Sequence, residues 1–123
     1  MAEDSNPLSG KVGLDVTEFK TGISQLNQQI RVIESGFKAT AAGMGDWSKQ
    51  SAGLEARMKA LTSEIGLQQT KVENTRKAYE QMAAEKGATS RAAQDLQIKL
   101  NKETETLNKM QSELNQSETE LGQ

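Results

Sequence analysis

Few residues in this chain have the side chains that nucleophilic or metal-dependent catalysis requires. The sequence contains no histidine and no cysteine, which excludes Ser-His and Cys-His nucleophilic systems and the commonest zinc sites. Ser35-Gly36-Phe37-Lys38 matches the S-x-x-K pattern of serine acyl-transfer enzymes. That match lacks its companion motifs and lies in a strongly periodic helical segment, so we interpret it as coincidental. The sequence predicts no catalytic residue, no cofactor and no metal site.

Two other patterns invite a functional interpretation that their surroundings do not support. Gly43-Met44-Gly45 begins like a dinucleotide-binding fingerprint, but the third glycine is missing and no strand precedes it. A carboxylate pair that does acid–base chemistry needs a walled site that separates the two pKa values. We expect solvated helix faces instead for the glutamates of the last third, which are Glu103, Glu105, Glu113, Glu118 and Glu120. The chain is therefore predicted not to be an enzyme.

Composition narrows the classes of protein further. Hydrophobic residues make up 34% of the 123 residues and aromatic residues 3%, which is too little for an ordinary globular core of this size. The net charge is −2, with acidic and basic residues interleaved, so we expect no direct nucleic-acid binding. No stretch approaches the ~20 apolar residues that span a bilayer, so no membrane segment is predicted.

Apolar residues recur at alternating spacings of three and four from Val16 to Leu121. Of the 25 large apolar residues in this interval, 22 lie on that seam, whereas random placement would put roughly seven there. A 3.5-residue period kept over about fifteen heptads predicts left-handed coiled-coil helices and excludes disorder. The seam residues on which we expect the helix contacts to depend are Val16, Phe19, Ile23, Leu26, Ile30, Ile33, Phe37, Trp47, Leu54, Met58, Leu61, Ile65, Val72, Tyr79, Met82, Leu96, Leu100, Leu107, Met110, Leu114 and Leu121.

A few residues depart from the pattern. Lys86 and Glu103 are charged residues on the seam, and each is either a device that fixes register or oligomer state or a local weak point. Val32, Leu67 and Ile98 are apolar residues off the seam, and each either widens the apolar stripe or is a scattered surface residue.

Helix start and stop signals divide the seam into one coiled-coil region with three helices, predicted at residues 15–43, 47–86 and 90–121. Residues 1–14, with Pro7 and two glycines, are predicted to form a flexible arm. Asp15 with a glutamate three residues later resembles a capping box. Two glycine-containing segments, at 43–46 and 86–90, provide the breaks between the helices.

The fold class predicted is all-α and elongated, and two architectures fit the seam. Helix 1 followed by an antiparallel hairpin of helices 2 and 3 is favoured by the break at 86–90. One continuous helix from about 47 to 121, paired in parallel with other copies, fits equally well because a three-four repeat is palindromic. Mixed isoleucine and aromatic residues in both seam sets of the first helix favour a homotrimer.

An ordered series of segments resembles the N-terminal region of tail tape measure proteins of phages and prophages of Gram-positive hosts. The segments are GLDVTEFKTGI at 13–23, ESGFK at 34–38, GDWSK at 45–49, LQQ at 67–69 with Val72, EKGATS at 85–90, LQIKLNKET at 96–104 and LNKM at 107–110. Together they span about residues 13–121, which is nearly the whole chain.

The resemblance implies a structural role in the virion tail. Tape measure proteins lie in the lumen of the tail tube and set tail length, so the implied partners are tail tube, tail tip and tail assembly chaperone proteins. The implied location is the host cytoplasm during assembly and the virion tail afterwards. Complete members of the family are far longer than this chain, so we expect it to be a fragment. The alternative is a stand-alone coiled-coil adaptor or assembly chaperone.

Overall fold

The heptad pattern forms three α-helices in the computed structural model, which describes residues 16–123. The helices are α1 (Val16–Ala42), α2 (Ser51–Lys86) and α3 (Arg91–Leu121), and one turn of 3-10 helix (Trp47–Lys49) precedes α2. The described residues contain no strand, so the predicted all-α class is confirmed. The predicted arm at 1–14 and the predicted cap at Asp15 lie outside the described residues.

The chain reverses direction between α2 and α3 at the predicted break. Gly87 adopts a φ of 94°, a left-handed conformation that ends the helix because glycine has no Cβ to clash. Ser90 is the N-cap of α3, and its Oγ accepts a 3.2 Å hydrogen bond from the N–H of Ala93. The same hydroxyl donates to the carbonyl of Gly87 at 2.8 Å, which closes the turn.

The link between α1 and α2 is longer than the sequence predicted. Gly45 has a φ of 70°, and the following turn of 3-10 helix delays the start of α2 from residue 47 to Ser51. Gly53 is buried against this turn, where an added Cβ would lie 2.7 Å from the Cβ of Trp47. The missing side chain at Gly53 therefore allows the turn to pack directly on α2.

α2 is the central helix of the fold. α3 runs antiparallel along it, and α1 packs on it as well. The predicted antiparallel hairpin is confirmed, and the chain does not adopt the alternative of one continuous helix. Near the α2–α3 turn, an apolar cluster of Ala78, Met82 and Ala93 packs with Phe19 of α1 and Leu96 of α3.

A second apolar cluster lies at the opposite end of the molecule. Phe37 and Ala41 of α1 pack there against Ala60 of α2, with Ile33 and Trp47 beside them. α1 is thus held on the hairpin at both of its ends. No helix among residues 16–123 is long and apolar enough to cross a membrane.

Candidate functional site

The apolar seam faces the interior of the molecule. None of the 21 predicted seam residues is exposed, whereas the off-seam Val32 and Ile98 are 60% and 53% exposed. The buried seam residues are Ile23, Phe37, Leu54, Leu61, Ile65 and Met82. The half-buried ones are Val16, Phe19, Leu26, Ile30, Ile33, Trp47, Met58, Val72, Tyr79, Leu96, Leu100, Leu107, Met110, Leu114 and Leu121. Their use in pairing between copies stays a prediction.

One buried arginine connects all three helices. Arg57 of α2 is 8% exposed, and its Nη1 donates to Oε1 of Glu34 in α1 at 2.8 Å. Its Nε and Nη2 donate to the two carboxylate oxygens of Glu113 in α3, at 2.7 and 3.0 Å. Such bidentate pairing is the strongest geometry available to a guanidinium. The pKa of Arg57 is raised by these carboxylates, chiefly Glu113, although burial acts against the shift.

Two aromatic rings complete the surroundings of Arg57. Its guanidinium carbon lies 4.9 Å from the ring centroid of Phe37, a distance at which a cation is attracted to the ring face. Trp47 contacts Phe37 edge-on, with the two ring centroids 4.9 Å apart. The 3-10 turn between α1 and α2 is therefore fixed to the same cluster of charges.

A fourth charged residue makes the cluster sensitive to protonation. Glu64 of α2 is 4% exposed, and one of its carboxylate oxygens is 4.0 Å from Nη1 of Arg57. Burial, followed by a hydrogen bond with Glu34 and the charge of that residue, raises the pKa of Glu64 to about 7. Burial also acts to raise the pKa of Glu34, but hydrogen bonds with Glu64 and Arg57 outweigh it and leave that pKa lowered. This difference between the two pKa values favours the protonated form of Glu64 below about pH 7, with the Glu34 carboxylate as the acceptor of that proton's hydrogen bond.

A second polar layer lies in the middle of the hairpin. Gln68 of α2 is 1% exposed and donates from Nε2 to the carbonyl oxygen of Glu103 in α3 at 2.9 Å. The Glu103 carboxylate is buried and has no hydrogen-bond partner among the described residues, while Nζ of Lys99 lies 3.4 Å from it. Lys71 Nζ donates to Asn27 of α1 at 2.6 Å, and burial lowers the pKa of Lys71 although the charge of Glu103 opposes the shift.

These polar groups give the hairpin a direction and a register that the apolar seam lacks. In the observed fold Glu103 faces Gln68 and lies beside lysines of both helices. In a parallel, in-register assembly each Glu103 would instead meet the Glu103 of another copy, and like charges at one seam layer repel. Of the two seam charges, Glu103 is therefore placed to fix register, whereas Lys86 is exposed at the end of α2.

The Arg57 cluster is suited to holding helices together more than to binding a substrate. All three guanidinium nitrogens of Arg57 already donate to carboxylates of the same chain. A groove section of about 380 Å³ opens beside Phe37, Trp47 and Arg57, but each nitrogen of that guanidinium is already held by a carboxylate. No group of three or more acidic residues that could hold a metal ion occurs within residues 16–123.

Sequence reasoning missed this cluster although a signal was present. Arg57, Glu64 and Glu113 each stand immediately before a seam residue, and Glu34 stands immediately after Ile33. Residues that flank a coiled-coil seam commonly form ion pairs between helices. Of the five glutamates expected on solvated helix faces, three are exposed, namely Glu105, Glu118 and Glu120. The other two are Glu103, which is buried, and Glu113, which is half-buried.

Comparisons with known proteins add no family to this description. No protein-family model matches the chain, and no curated protein or solved structure gives a significant match.

Proposed function

We propose that this chain is a structural segment of a phage tail tape measure protein and acts by helix packing, not by chemistry. The observation that carries the proposal is the seam, because all 21 of its predicted residues are at least half-buried between helices. The strongly shifted ionisable groups also act between helices, as in the ion pairs of Arg57 with Glu34 and Glu113. The ordered resemblance over residues 13–121 supplies the family.

Helix geometry determines what such a segment contributes to length. α2 has 36 residues, so it is about 54 Å long at 1.5 Å per residue. The described residues, 16–123, would span roughly 160 Å as one continuous helix. A folded bundle therefore adds about one third of the length that the same residues add when extended.

The proposal is tested in a phage that encodes this chain within its tape measure gene. An in-frame deletion of the codons for residues 16–121 should shorten the tail, as measured by electron microscopy of purified virions. A tail that is shorter by about 54 Å indicates that the segment is folded in the tail. A tail that is shorter by roughly 160 Å indicates that the segment is extended. Tails of unchanged length, together with the absence of the chain from purified virions, would contradict the proposal.

Self-association and location complete the proposal. The family resemblance implies contacts with tail tube, tail tip and tail assembly chaperone proteins, and a location in the host cytoplasm before the virion tail. The trimer predicted from the sequence loses part of its basis, because Phe19 and Phe37, on which it partly rested, pack within one chain, and it is not part of this proposal.

A stand-alone adaptor or assembly chaperone is the second candidate. It is favoured by one observation, that Arg57 joins α2 to both α1 and α3 through Glu34 and Glu113, so the three helices form a bundle of their own. A reading frame that continues past Gln123 supports the tape measure segment. A stop codon there, with the protein found in lysates but not in virions, supports the adaptor.

A further inference from the structure

A groove runs between α1 and α3, because both helices pack on α2 and do not pack closely against each other. Its section near the α2–α3 turn has a volume of about 470 Å³ and an apolar floor of Phe19, Ile23 and Leu96. Lys20 and Arg31 of α1 line one wall. The section is therefore an apolar slot with a basic wall.

The opposite wall, on α3, is also basic. Lys99 lines the same section, and Lys102 lines the adjoining one together with the exposed Ile98. Neither Lys20 nor Lys102 forms an ion pair with any described residue. Asp95 is the acidic residue of this section, and Nε of Arg91 lies 4.0 Å from it. Glu103 lines the adjoining section, where Nζ of Lys99 lies 3.4 Å from its carboxylate. The slot thus presents one unpaired lysine on each side of an apolar floor, Lys20 on α1 and Lys102 on α3.

The C-terminal end of α3 carries the opposite charge. Its last turn contains Glu118 and Glu120 and no basic residue, and neither glutamate forms an ion pair within residues 16–123. At about 100° per residue the two carboxylates lie on either side of the half-buried Leu121. Negative charge at a helix C-terminus opposes the helix dipole, so a cationic partner would stabilise this turn.

The same separation of positive and negative charge extends over the whole bundle. Residues 16–30 and 70–102, at the turn end, contain eight basic and five acidic residues, a net charge of +3. Residues 31–69 and 103–123, at the other end, contain six basic and nine acidic residues, a net charge of −3. Two of the three helices, α1 and α3, begin at the turn end, so their dipoles add to the separation of charge.

We propose that the groove between α1 and α3 binds the C-terminal turn of α3 from a second copy of this chain, forming an antiparallel dimer. Glu118 and Glu120 of the second copy face the two basic walls, and the part of Leu121 that its own bundle leaves exposed lies over the apolar slot. The incoming helix runs antiparallel to α1 and α3, which is the favourable alignment of the helix dipoles. A two-fold axis across α3 makes the contact reciprocal, so each copy supplies one slot and one turn.

The acidic turn that occupies the slot comes from a second copy because α3 cannot reach the slot of its own chain. Lys99 and Glu120 lie on the same continuous helix, and the 1.5 Å rise places them roughly 30 Å apart. The opposite charges at the two ends of one molecule match only when the second molecule is reversed. Self-association through this groove does not depend on the assignment to a phage tail.

Reciprocal charge reversal tests the proposal on the full chain. The slot variant is Lys20→Glu with Lys102→Glu, and the turn variant is Glu118→Lys with Glu120→Lys; all four side chains are exposed. The control is Lys59→Glu with Lys77→Glu, two exposed lysines of α2 that line none of the groove sections described above. Sedimentation equilibrium at low salt gives the mass of each protein alone and of the two variants mixed, and circular dichroism verifies helix content.

The expected result is a dimer for the wild type and for the control, weakened by added salt. Each reversed variant should be monomeric alone, because both of its contacts then join like charges. An equimolar mixture of the two should form a heterodimer, because both contacts then join opposite charges again. A monomeric wild type, a wild-type trimer, or a mixture that stays monomeric while both variants remain helical would overturn the proposal.

Discussion

The Nη1 atom of Arg57 lies 2.8 Å from Oε1 of Glu34, and this ion pair joins the central helix to the first one. The same guanidinium reaches Glu113 on the third helix. One side chain thus holds both neighbours of α2, and the consequences of removing it can be measured.

Arg57→Ala should lower the free energy of unfolding by about 2–4 kcal/mol, because it leaves buried and half-buried carboxylates without a cation. The lower end of this free-energy range allows for the partial exposure of Glu34 and Glu113, whose side chains are 31% and 41% exposed. The measurement is urea unfolding followed by circular dichroism. The matched control is Arg76→Ala, since Arg76 bonds Glu73 and Glu80 on the same helix and is half-exposed. That change should leave the midpoint nearly unchanged, and equal losses for both arginines would contradict the role given to Arg57.

Stability should fall as the pH rises toward neutrality. In the folded chain the pKa of Glu64 is about 7, against an ordinary value of 4.5, so between these values the folded state holds a proton that the unfolded chain has released. The stabilisation from this protonated carboxyl is complete below the ordinary value and is lost as the pH rises through the folded value. The loss is on the order of 1–3 kcal/mol. The lowered pKa of Glu34 acts in the opposite direction, at more acidic pH.

Urea unfolding between about pH 5 and pH 8 measures this dependence. Glu64→Gln should abolish most of it, because an amide fills the same space and does not titrate. Glu55→Gln, at an exposed position of the same helix, should leave it intact. A wild type whose stability does not change over this interval would show that the buried carboxyl pair shares no proton.

Two glycines of α2 should respond to alanine with opposite signs. A Cβ at Gly53 would meet the backbone and side chain of Trp47, whereas a Cβ at Gly66 would meet no atom within 4 Å. Gly53→Ala should therefore destabilise the protein by about 1–3 kcal/mol, and Gly66→Ala should stabilise it by up to about 1 kcal/mol. Thermal unfolding measures both. A stabilised Gly53→Ala variant would show that the 3-10 turn does not pack on α2.

Glu103→Leu should promote association into parallel assemblies without raising the thermal midpoint of the single chain. It removes the like-charge layer that opposes in-register pairing. It also leaves Lys99 and Lys71 without the carboxylate beside them, and removing one partner of a buried charge pair costs stability. Glu105→Leu, at an exposed position, is the control for an added apolar side chain. Melting and sedimentation measure the two effects, and a Glu103→Leu variant that gains no tendency to associate would show that Glu103 does not fix the register.

The sequence predicted the three helices and the face that each helix buries. An apolar period that continues without interruption from Val16 to Leu121 gives each helix a single apolar face. That period does not distinguish the antiparallel hairpin from one continuous helix, since a palindromic three-four repeat fits both architectures. Gly87 and Ser90, in the break between the helices, favoured the hairpin. The left-handed φ of Gly87 and the hydrogen bond that the Ser90 side chain accepts at the start of α3 explain why the chain turns there.

The polar interior was harder to predict. Arg57, Glu64 and Glu113 precede seam residues as many exposed charges do, and only the closeness of three helices determines which of them become buried. The late start of α2 has a similar cause. The glycine-containing segment at 43–46 suggested a helix from residue 47, but the contact between Trp47 and Gly53 lies outside any local pattern.

The distance between spin labels at Lys59→Cys and Gln111→Cys tests the fold that all these predictions share. The chain has no native cysteine, both positions are exposed, and each lies two residues from a member of the Arg57–Glu113 pair. Double electron–electron resonance, with labelled chains diluted in unlabelled protein, should give about 10–20 Å, since packed helices lie close together. A distance of roughly 78 Å, the length of one continuous helix over this interval, would contradict the hairpin.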